Sequence, residues 1–404
     1  MRVLVTLLAV AAHAGAQTSL SLRDAVERAL QSHPALAASA ARVSASSSLV
    51  NQAGLRPNPR LVLQTENWRT YGTPGFRANE DPDTYAYLTQ PIETASKRLR
   101  RVEAARAEQR RAALERELLE KQISARVKQA YWNAAGAARV HELWVENAGT
   151  FRQIVEYHEH RVREGAMAEA DLLKVRLEGE RLAVAANTAA LEAERARIDL
   201  LRQTGAVEFP ELRLTEALEP GPEPPAASVE RALEERTEVK LARQAVEQAR
   251  ARLRLEQAAA KPDLDLSFGY KRAGGFHTAY GGVQLPLPLF NRNQGSIGAV
   301  EAEGRAAESE LAAAQALVRA EVRAARAEVE MRRTQVTRIL KSALDRAEES
   351  ARIAKAAYQE GGADLLRLLD AERVRIELEV LNARSLAEYR QSVVALETAM
   401  GVNP

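Results

Sequence analysis

Two hydrophobic periods alternate along this chain. The longer segments have the period of an α-helix, and the clearest of them lies between about residues 293 and 360. Its apolar positions follow a heptad-like spacing at Val318, Val322, Ala325, Val329, Val336, Ile339 and Ala343. A second segment without proline runs from about residue 97 to residue 164. We expect each segment to form a rod roughly 100 Å long, since a helix rises about 1.5 Å per residue.

A glycine ends each predicted rod, at Gly165 and at Gly361. After each glycine a second helical pattern runs back, to about residue 203 in the first case and about residue 401 in the second. Helices often end in a left-handed conformation that glycine adopts without a steric penalty. The sequence therefore predicts two long antiparallel helical hairpins, at about residues 97–203 and 293–401.

Short segments with a period of two precede each hairpin. Apolar residues alternate strictly with polar or small ones from Leu264 to Lys271, which is the pattern of a strand with one apolar face. The four predicted strands, two before each hairpin, lie at about residues 60–68, 84–91, 263–271 and 279–287. The fold class is therefore mainly α with a small β part.

The chain carries the same order of elements twice. Gln90-Pro91 and Leu285-Pro286 precede the two rods at an offset of 195 residues. Further on, Asp171-Leu172-Leu173 after Gly165 matches Arg367-Leu368-Leu369 after Gly361, at an offset of 196. We therefore predict two structural repeats, at residues 17–204 and 227–404. The Pro-rich segment 205–226 between them cannot be a continuous helix and is interpreted as a linker.

The first sixteen residues have the order of a secretory signal. Arg2 precedes an apolar run, and the small residues Ala14-Gly15-Ala16 follow it, which predicts a signal peptide at residues 1–16. The apolar run is only half of the roughly 20 residues that a membrane-spanning helix needs. We therefore expect an exported chain without a helical anchor.

Charge and cysteine content narrow the classes of partner. The 57 basic residues nearly balance the 55 acidic ones, so the chain has no large net charge that would favour binding of nucleic acid. The chain has no cysteine, which removes disulfides, thiolate metal sites and a lipidated N-terminal cysteine. Attachment to a membrane must then come from the fold itself.

Aromatic residues are concentrated around the predicted strands. Aromatics beside an apolar band are typical of membrane-spanning barrels, so we predict interface positions for Trp68, Tyr85, Tyr87, Phe268 and Tyr270. The alternative is two ordinary hairpins of a soluble sandwich. Open strand edges cannot lie in hydrocarbon, and four strands are fewer than the eight or so of the smallest barrels. Several copies would therefore have to share one barrel.

With this repeat, the chain resembles the TolC family of outer-membrane factors. The resemblance rests on two copies of helix, strand pair, QP or LP step, long helix, glycine turn, and DLL or RLL. It implies a homotrimer with a twelve-stranded barrel in outer-membrane lipid and a periplasmic α-barrel of twelve helices. It also implies a passive duct, not an enzyme and without cofactors, that docks to a periplasmic adaptor and an inner-membrane pump. The HPALAAS segment and the length are most similar to outer-membrane partners of cobalt-zinc-cadmium type RND pumps.

In the TolC family the functional region is the periplasmic tip, where the hairpins turn and the entrance narrows. The resemblance places that region at residues 165–173 and 361–370 of this chain. Acidic residues after the second turn line the entrance in relatives, and the matching positions here are Arg367 and Asp370. Arg367 departs from the acidic pattern, which leaves Asp171, Asp364 and Asp370 as candidates. Asp364 is better explained as a helix N-cap, and the two glycines as residues that permit the turns.

We find no pattern of a nucleophilic, phosphate-binding or zinc-protease site in the sequence. His158-Glu159-His160 suggests a metal site, but residues two apart on a helix do not face each other. We therefore expect surface histidines there and no metal site.

Other functions remain open at the level of the sequence. A periplasmic adaptor would have one helical hairpin, whereas two are predicted here, and a secreted structural coiled coil would not need the aromatic-rich strands. The duct itself could serve efflux of metal cations or drugs with a proton-driven pump, or a type I system that secretes a polypeptide with an ATP-driven exporter.

Overall fold

A computed structural model describes residues 18–69, 71–78, 80–224, 226 and 228–402, so the predicted signal peptide at residues 1–16 lies outside the described part. The chain divides into two compact units. Unit 1 contains the described residues up to Ala37 together with Leu119–Arg236 and Val318 onwards, and unit 2 contains Ala38–Leu118 and Thr237–Leu317. Each unit therefore takes residues from both sequence repeats.

Helices dominate the described chain. In chain order they are α1 (Leu22–Ser32), α2 (Pro34–Ala53), α3 (Lys97–Arg163), α4 (Glu169–Gln203), α5 (Val229–Glu235), α6 (Thr237–Ala259), α7 (Gln294–Thr334), α8 (Lys341–Gln359) and α9 (Leu365–Ala399). The strands are β1 (Thr18–Leu20), β2 (Arg60–Glu66), β3 (Asp83–Ile92), β4 (Leu212–Leu214), β5 (Leu264–Ala273) and β6 (Phe276–Gln284). None of the described helices combines the length and the apolar character needed to cross a membrane.

The two predicted rods differ in regularity. Helix α3 is continuous over 67 residues. The second rod consists of α7 and α8 with a π-helical segment, Gln335–Leu340, between them. The expectation of one regular helix is wrong over these residues. The assignment of Ile339 to the apolar heptad positions is also wrong. Ile339 is 61% exposed, whereas Leu340 is 4% exposed and takes the buried position.

Unit 1 has its main hydrophobic cluster around the middle of α3. Tyr131 and Trp132 pack there against apolar residues of α1 and α4, among them Ala29 and Leu200. The Tyr131 hydroxyl donates a hydrogen bond to the Leu20 carbonyl at 3.1 Å and accepts one from the Glu216 N–H at 3.2 Å. Strand β1, which ends at Leu20, pairs in parallel with β4 of the predicted linker. The segment between the repeats is therefore held against the helices and is more than a spacer.

Unit 2 contains a four-stranded antiparallel sheet in the order β2-β3-β5-β6. The strands lie close to the predicted positions, except that β6 begins at Phe276 and ends at Gln284. The reason is the turn before it, which has only two residues, Gly274 and Gly275, with φ of 56° and 80°. Two positive φ angles in a two-residue turn match the twist of a β-hairpin.

The two faces of the sheet differ in character. Register places Leu61, Leu88 and Phe268 in one row across β2, β3 and β5, on a face where large apolar side chains are exposed. The adjacent row, on the opposite face, contains Thr89 and Ser267, whose hydroxyls are 2.9 Å apart. The strands β2 and β6 form the edges of the sheet.

Candidate entrance site at the helical turns

The turns after α3 and α8 in unit 1 have the same backbone geometry. Gly165 and Gly361 have φ of 72° and 77°. The Gly165 N–H donates to the Val162 carbonyl at 3.0 Å, and the next N–H, of Ala166, reaches back to Arg161 at 2.8 Å. Gly361 and the residue after it make the same pair of bonds to the end of α8. This is the Schellman arrangement, in which a glycine just past the helix satisfies the last carbonyls.

The helices that follow the two turns begin differently. Helix α9 has a side-chain cap, because an Asp364 carboxylate oxygen accepts a hydrogen bond from the Arg367 N–H at 2.9 Å. Helix α4 follows Ala168, which has no side chain able to cap. Asp364 therefore has a structural task at the start of α9.

The leucines of the repeated motif are not equivalent. Leu172, Leu368 and Leu369 are buried, whereas Leu173 is 53% exposed. Leu369 belongs to a cluster with residues of α3 and α4, including Phe151 and Val175. The apolar positions after both turns thus join the two hairpins to each other.

The charged candidates stay at the surface. Asp171 pairs with Lys174 one helical turn further on, at 3.1 Å, and Arg367 and Asp370 are exposed on α9. Among the described residues of one chain, no three histidine or acidic side chains are placed to hold a metal ion. A single chain therefore does not assemble the acidic residues of the tip into one site.

A buried carboxylate that the sequence analysis missed links α4 to α9. Glu178 accepts hydrogen bonds from Arg181 at 2.6 Å and from Arg373 at 3.0 Å. Burial opposes ionisation of Glu178, but the bonds from the two arginines outweigh it and lower the pKa of this carboxyl below its ordinary value. Arg373 follows Glu178 by nearly two hundred residues, so no local pattern could reveal the pair.

A second polar link joins α3 to α9. The Arg375 guanidinium donates to the Asn147 side-chain oxygen at 2.8 Å and to Glu372 at 2.9 Å. Asn147 also donates to the Leu143 carbonyl in its own helix at 2.8 Å. The two hairpins are thus joined by polar contacts as well as apolar ones.

The histidines of the His158-Glu159-His160 segment differ in environment. His160 is exposed and lies 3.1 Å from Glu164. His158 is only 1% exposed, so the expectation of a surface histidine is wrong at this position. Its ring nitrogens contact the Ile154 carbonyl at 2.7 Å and the Tyr358 hydroxyl at 2.8 Å. The partner that buries it, Tyr358, is on α8 and is distant in sequence.

The aromatics predicted at a membrane interface fall into separate groups in unit 2. Phe268 and Tyr270 are on the apolar face of the sheet. Tyr85 and Tyr87 are on the opposite face, where both rings pack on Tyr280, at 6.2 and 4.7 Å between centroids. Trp68 lies beyond the end of β2, with its indole N–H donating to Thr65 at 3.0 Å. Only Phe268 and Tyr270 are therefore brought together on the face that suits an interface role.

Comparison with known proteins gives consistent similarities. The cobalt-zinc-cadmium resistance protein CzcC of Cupriavidus metallidurans is 24% identical over 387 residues, which cover 95% of this chain and 90% of CzcC. Among solved structures, a membrane protein from Pseudomonas aeruginosa has a TM-score of 0.80 at 19% identity, covering 96% of this chain and 91% of its own. VceC from Vibrio cholerae has a TM-score of 0.75 at 21% identity, covering 94% and 96%.

The family model for outer membrane efflux proteins matches two blocks, residues 25–206 and 228–402. These blocks lie on either side of the segment between the two repeats. Together they cover most of the chain, and so the chain belongs to the outer membrane efflux protein family.

Proposed function

We propose that this chain is one of three identical subunits of a passive outer-membrane duct, which receives its cargo from a periplasmic adaptor and an inner-membrane pump. Membership of the efflux family supports the location and the role as a channel. The observation that carries the subunit arrangement is the sheet of unit 2, with an exposed apolar face and two edge strands.

The apolar face of the sheet is suited to lipid. Leu61, Leu63, Phe268 and Val283 are all exposed there, on three different strands. An exposed apolar face of this extent is unfavourable in water, since each such side chain gains about 1.5–3 kcal/mol on leaving it. Phe268 and Tyr270 are the aromatics that we assign to this face at the membrane.

The two edges of the sheet supply the argument for several copies. Strands β2 and β6 each have one side without a partner strand in the described chain. In hydrocarbon every backbone N–H and C=O group needs a partner, so the sheet has to continue into other copies until it closes. We propose three copies, a number supported by the resemblance to the TolC family.

Cysteine cross-linking tests this arrangement on a clean background, because the natural chain has no cysteine. Gln64→Cys on β2 is combined in turn with a cysteine at each position of β6, and the membranes are oxidised. We expect at least one combination to give linked dimers and trimers on a denaturing gel, and no larger species. A complete lack of interchain links, or a ladder beyond three, would contradict the proposal.

The matched control places both cysteines on central strands. Thr89→Cys with Ser267→Cys joins β3 to β5, where the two hydroxyls are 2.9 Å apart. This pair is expected to link within one chain and to give monomers only.

We assign the entrance of the duct to the turns at Gly165 and Gly361. Asp370 and Arg367 are the charged side chains that we place at its lining, because both are exposed just after the second turn. Asp364 is engaged in capping α9 and Asp171 in pairing with Lys174, which makes these two weaker candidates.

The cargo that we propose is divalent heavy-metal cations delivered by a pump of the RND type. Similarity to the cobalt-zinc-cadmium resistance protein CzcC supports this choice over secretion of a polypeptide. The test is growth on cobalt, zinc or cadmium of a bacterium that retains such a pump and its adaptor but lacks the outer-membrane component. Restored growth on expression of this chain is expected. Restored resistance to organic drugs without any effect on metals would contradict the cargo.

A further inference from the structure

We propose that one end of the sheet in unit 2 binds the headgroups of anionic phospholipids, in the leaflet of the outer membrane that faces the periplasm. This proposal rests on the proposed function, which places the apolar face of the sheet in lipid. The end in question is where the strands meet the helices. Strands β2 and β5 begin there after α2 and α6, and strands β3 and β6 end there before α3 and α7.

A basic side chain without a partner lies at each of the four boundaries between helix and strand. These side chains are Arg56 before β2, Arg98 after β3, Lys261 before β5 and Arg292 after β6. All four residues are exposed, and within the described chain none of the four side chains has an ion pair or a hydrogen bond. Arginines on the long helices, such as Arg111, instead pair with a glutamate of the same helix. The helix–strand boundaries therefore have positive charge that the chain itself does not neutralise.

A cavity of about 590 Å³ lies at two of these boundaries, beside the start of α3. Its lining includes two exposed arginines and two exposed apolar residues, namely Arg56, Arg98, Ile92 and Leu99. Ile92 is on the same face of β3 as the exposed Leu88, because side chains four residues apart on a strand point the same way. The cavity thus lies at the border of the apolar face and combines cationic with apolar walls, which suits a lipid with an anionic headgroup.

The other charged groups that line the cavity are already paired. The Lys97 ammonium lies 2.7 Å from an Asp263 carboxylate oxygen. Glu93 accepts a hydrogen bond from Arg101 at 3.0 Å. The charge that is left in the cavity is therefore that of the two exposed arginines. A guanidinium presents its donors in a planar fork that binds two oxygens of one phosphate, so arginine is well suited to a phospholipid headgroup.

An exposed apolar segment extends from the same end of the sheet. It follows β6 and contains Leu285, Leu287, Leu289 and Phe290, and the Phe290 side chain is 91% exposed. Arg292 comes directly after this segment, before α7 begins. Apolar side chains beside a long basic one fit the headgroup region, because the apolar groups reach the acyl chains while the charge stays with the phosphates. This segment continues the apolar face of the sheet up to the cationic boundary.

The sign of the unpaired side chains selects the charge of the lipid. A basic side chain near an anionic membrane surface strengthens association by about fivefold. A zwitterionic headgroup gives much less, because its positive group opposes the attraction of its phosphate. A soluble anion would bind the arginines but would leave Ile92 and Leu99 uncovered, so we assign the cavity to a phospholipid. In a ring of several copies, the four basic side chains would repeat around the whole barrel.

Native mass spectrometry of the full-length, detergent-extracted protein tests the site. The probes are phosphatidylglycerol, which is anionic, and phosphatidylethanolamine, which is zwitterionic, with the same acyl chains. We expect the wild type to retain phosphatidylglycerol more tightly. The double variant Arg56→Gln, Arg98→Gln is expected to lose most of this preference, by about fivefold for each arginine. Equal retention of the two lipids by the wild type, or an unchanged preference in the double variant, would overturn the site.

Arg319→Gln with Arg323→Gln is the matched control. Both arginines are exposed and without a partner in the described chain, but they lie roughly 40 Å along α7 from its start. This control is expected to keep the wild-type preference. Arg56→Lys with Arg98→Lys keeps the charge and should retain most of the preference. A loss as large as that with glutamine would show that the arginines matter for packing and would overturn their role in binding headgroups.

Inorganic phosphate distinguishes a lipid site from a site for a soluble anion. At constant ionic strength, we expect an excess of inorganic phosphate over chloride to leave the preference for phosphatidylglycerol unchanged. Loss of the preference in phosphate would overturn the assignment to lipid. A wild-type protein that retains neither lipid would instead contradict the placement of the sheet in a membrane, and with it the proposed function.

Discussion

Glu178 is a carboxylate, 8% exposed, that two arginines share. Its pKa is lowered from the ordinary 4.5, because the bonds from Arg181 and Arg373 outweigh the effect of burial. A group whose pKa is depressed on folding contributes stability at pH values above its ordinary pKa, and the contribution is lost as pH falls through the depressed value. At neutral pH the full contribution is therefore present.

We expect Glu178→Gln to lower the free energy of unfolding by about 1–3 kcal/mol at neutral pH, since both arginines lose a charged partner inside the helix packing. The difference from wild type should shrink as pH falls below 4.5. Heat or urea denaturation of the detergent-extracted protein, followed by circular dichroism, measures it. Glu194→Gln is the control, since Glu194 is exposed and an ion pair of an exposed carboxylate is worth less than about 1 kcal/mol. Equal losses in the two variants would contradict the role given to Glu178.

Single residues were predictable where their structural cause is local. Gly165, Gly361 and Asp364 occupy the turn and cap positions that short-range sequence signals indicate. The burial of His158 and Glu178 could not be predicted, because Tyr358 and Arg373 come from the other repeat. A sequence without an alignment contains no signal that pairs residues so far apart.

At the scale of elements, Gly136 lies where α3 and α9 approach each other closely. A Cβ atom built there would overlap with the Cβ of Ala387. Glycine in the interior of a helix normally costs about 0.5–1 kcal/mol relative to alanine, so this residue is present because the neighbouring helix leaves no room. Helix packing, not helix propensity, determines the residue at this position.

Substitution of alanine for two glycines of α3 should therefore have opposite effects on stability. We expect Gly136→Ala to destabilise the protein by about 1–3 kcal/mol through overpacking. Gly149→Ala should stabilise it by about 0.5–1 kcal/mol, because no atom lies within 4 Å of a Cβ there. Paired denaturation curves check both signs. A stabilising effect at Gly136 would show that α3 and α9 can separate without cost.

The sequence predicts the helices and strands better than it predicts which of them pack or pair together. The helical and strand periods of apolar residues indicate the long helices and the four strands of the sheet, because both periods persist over many residues. Strands β1 and β4 were missed, since each has three residues and they pair in parallel across almost two hundred others. The separation of Tyr85 and Tyr87 from Phe268 depends on the register between strands, which alternation within one strand does not define.

At the scale of the whole molecule, the proposed ring of three copies would place three Asp370 side chains at one entrance. The charge of one exposed carboxylate has little effect in water, but several like charges around a narrow opening attract cations together. We expect Asp370→Lys to weaken block by divalent cations in planar bilayers and to shift selectivity towards anions. Glu377→Lys, on the same helix and also exposed, is the control for a general change of charge. Equal block in wild type and Asp370→Lys would remove Asp370 from the entrance.

The π-helical segment Gln335–Leu340 sets the phase of the helix that follows it. A π-helical turn contains more residues than an α-helical turn, and each residue of a regular α-helix advances the side-chain direction by about 100°. Leu340 therefore takes the buried position in place of Ile339, and Ala347, Ala351 and Ala354 continue the buried stripe along α8. The second rod can thus move its buried stripe around the helix without a break in its helical turns.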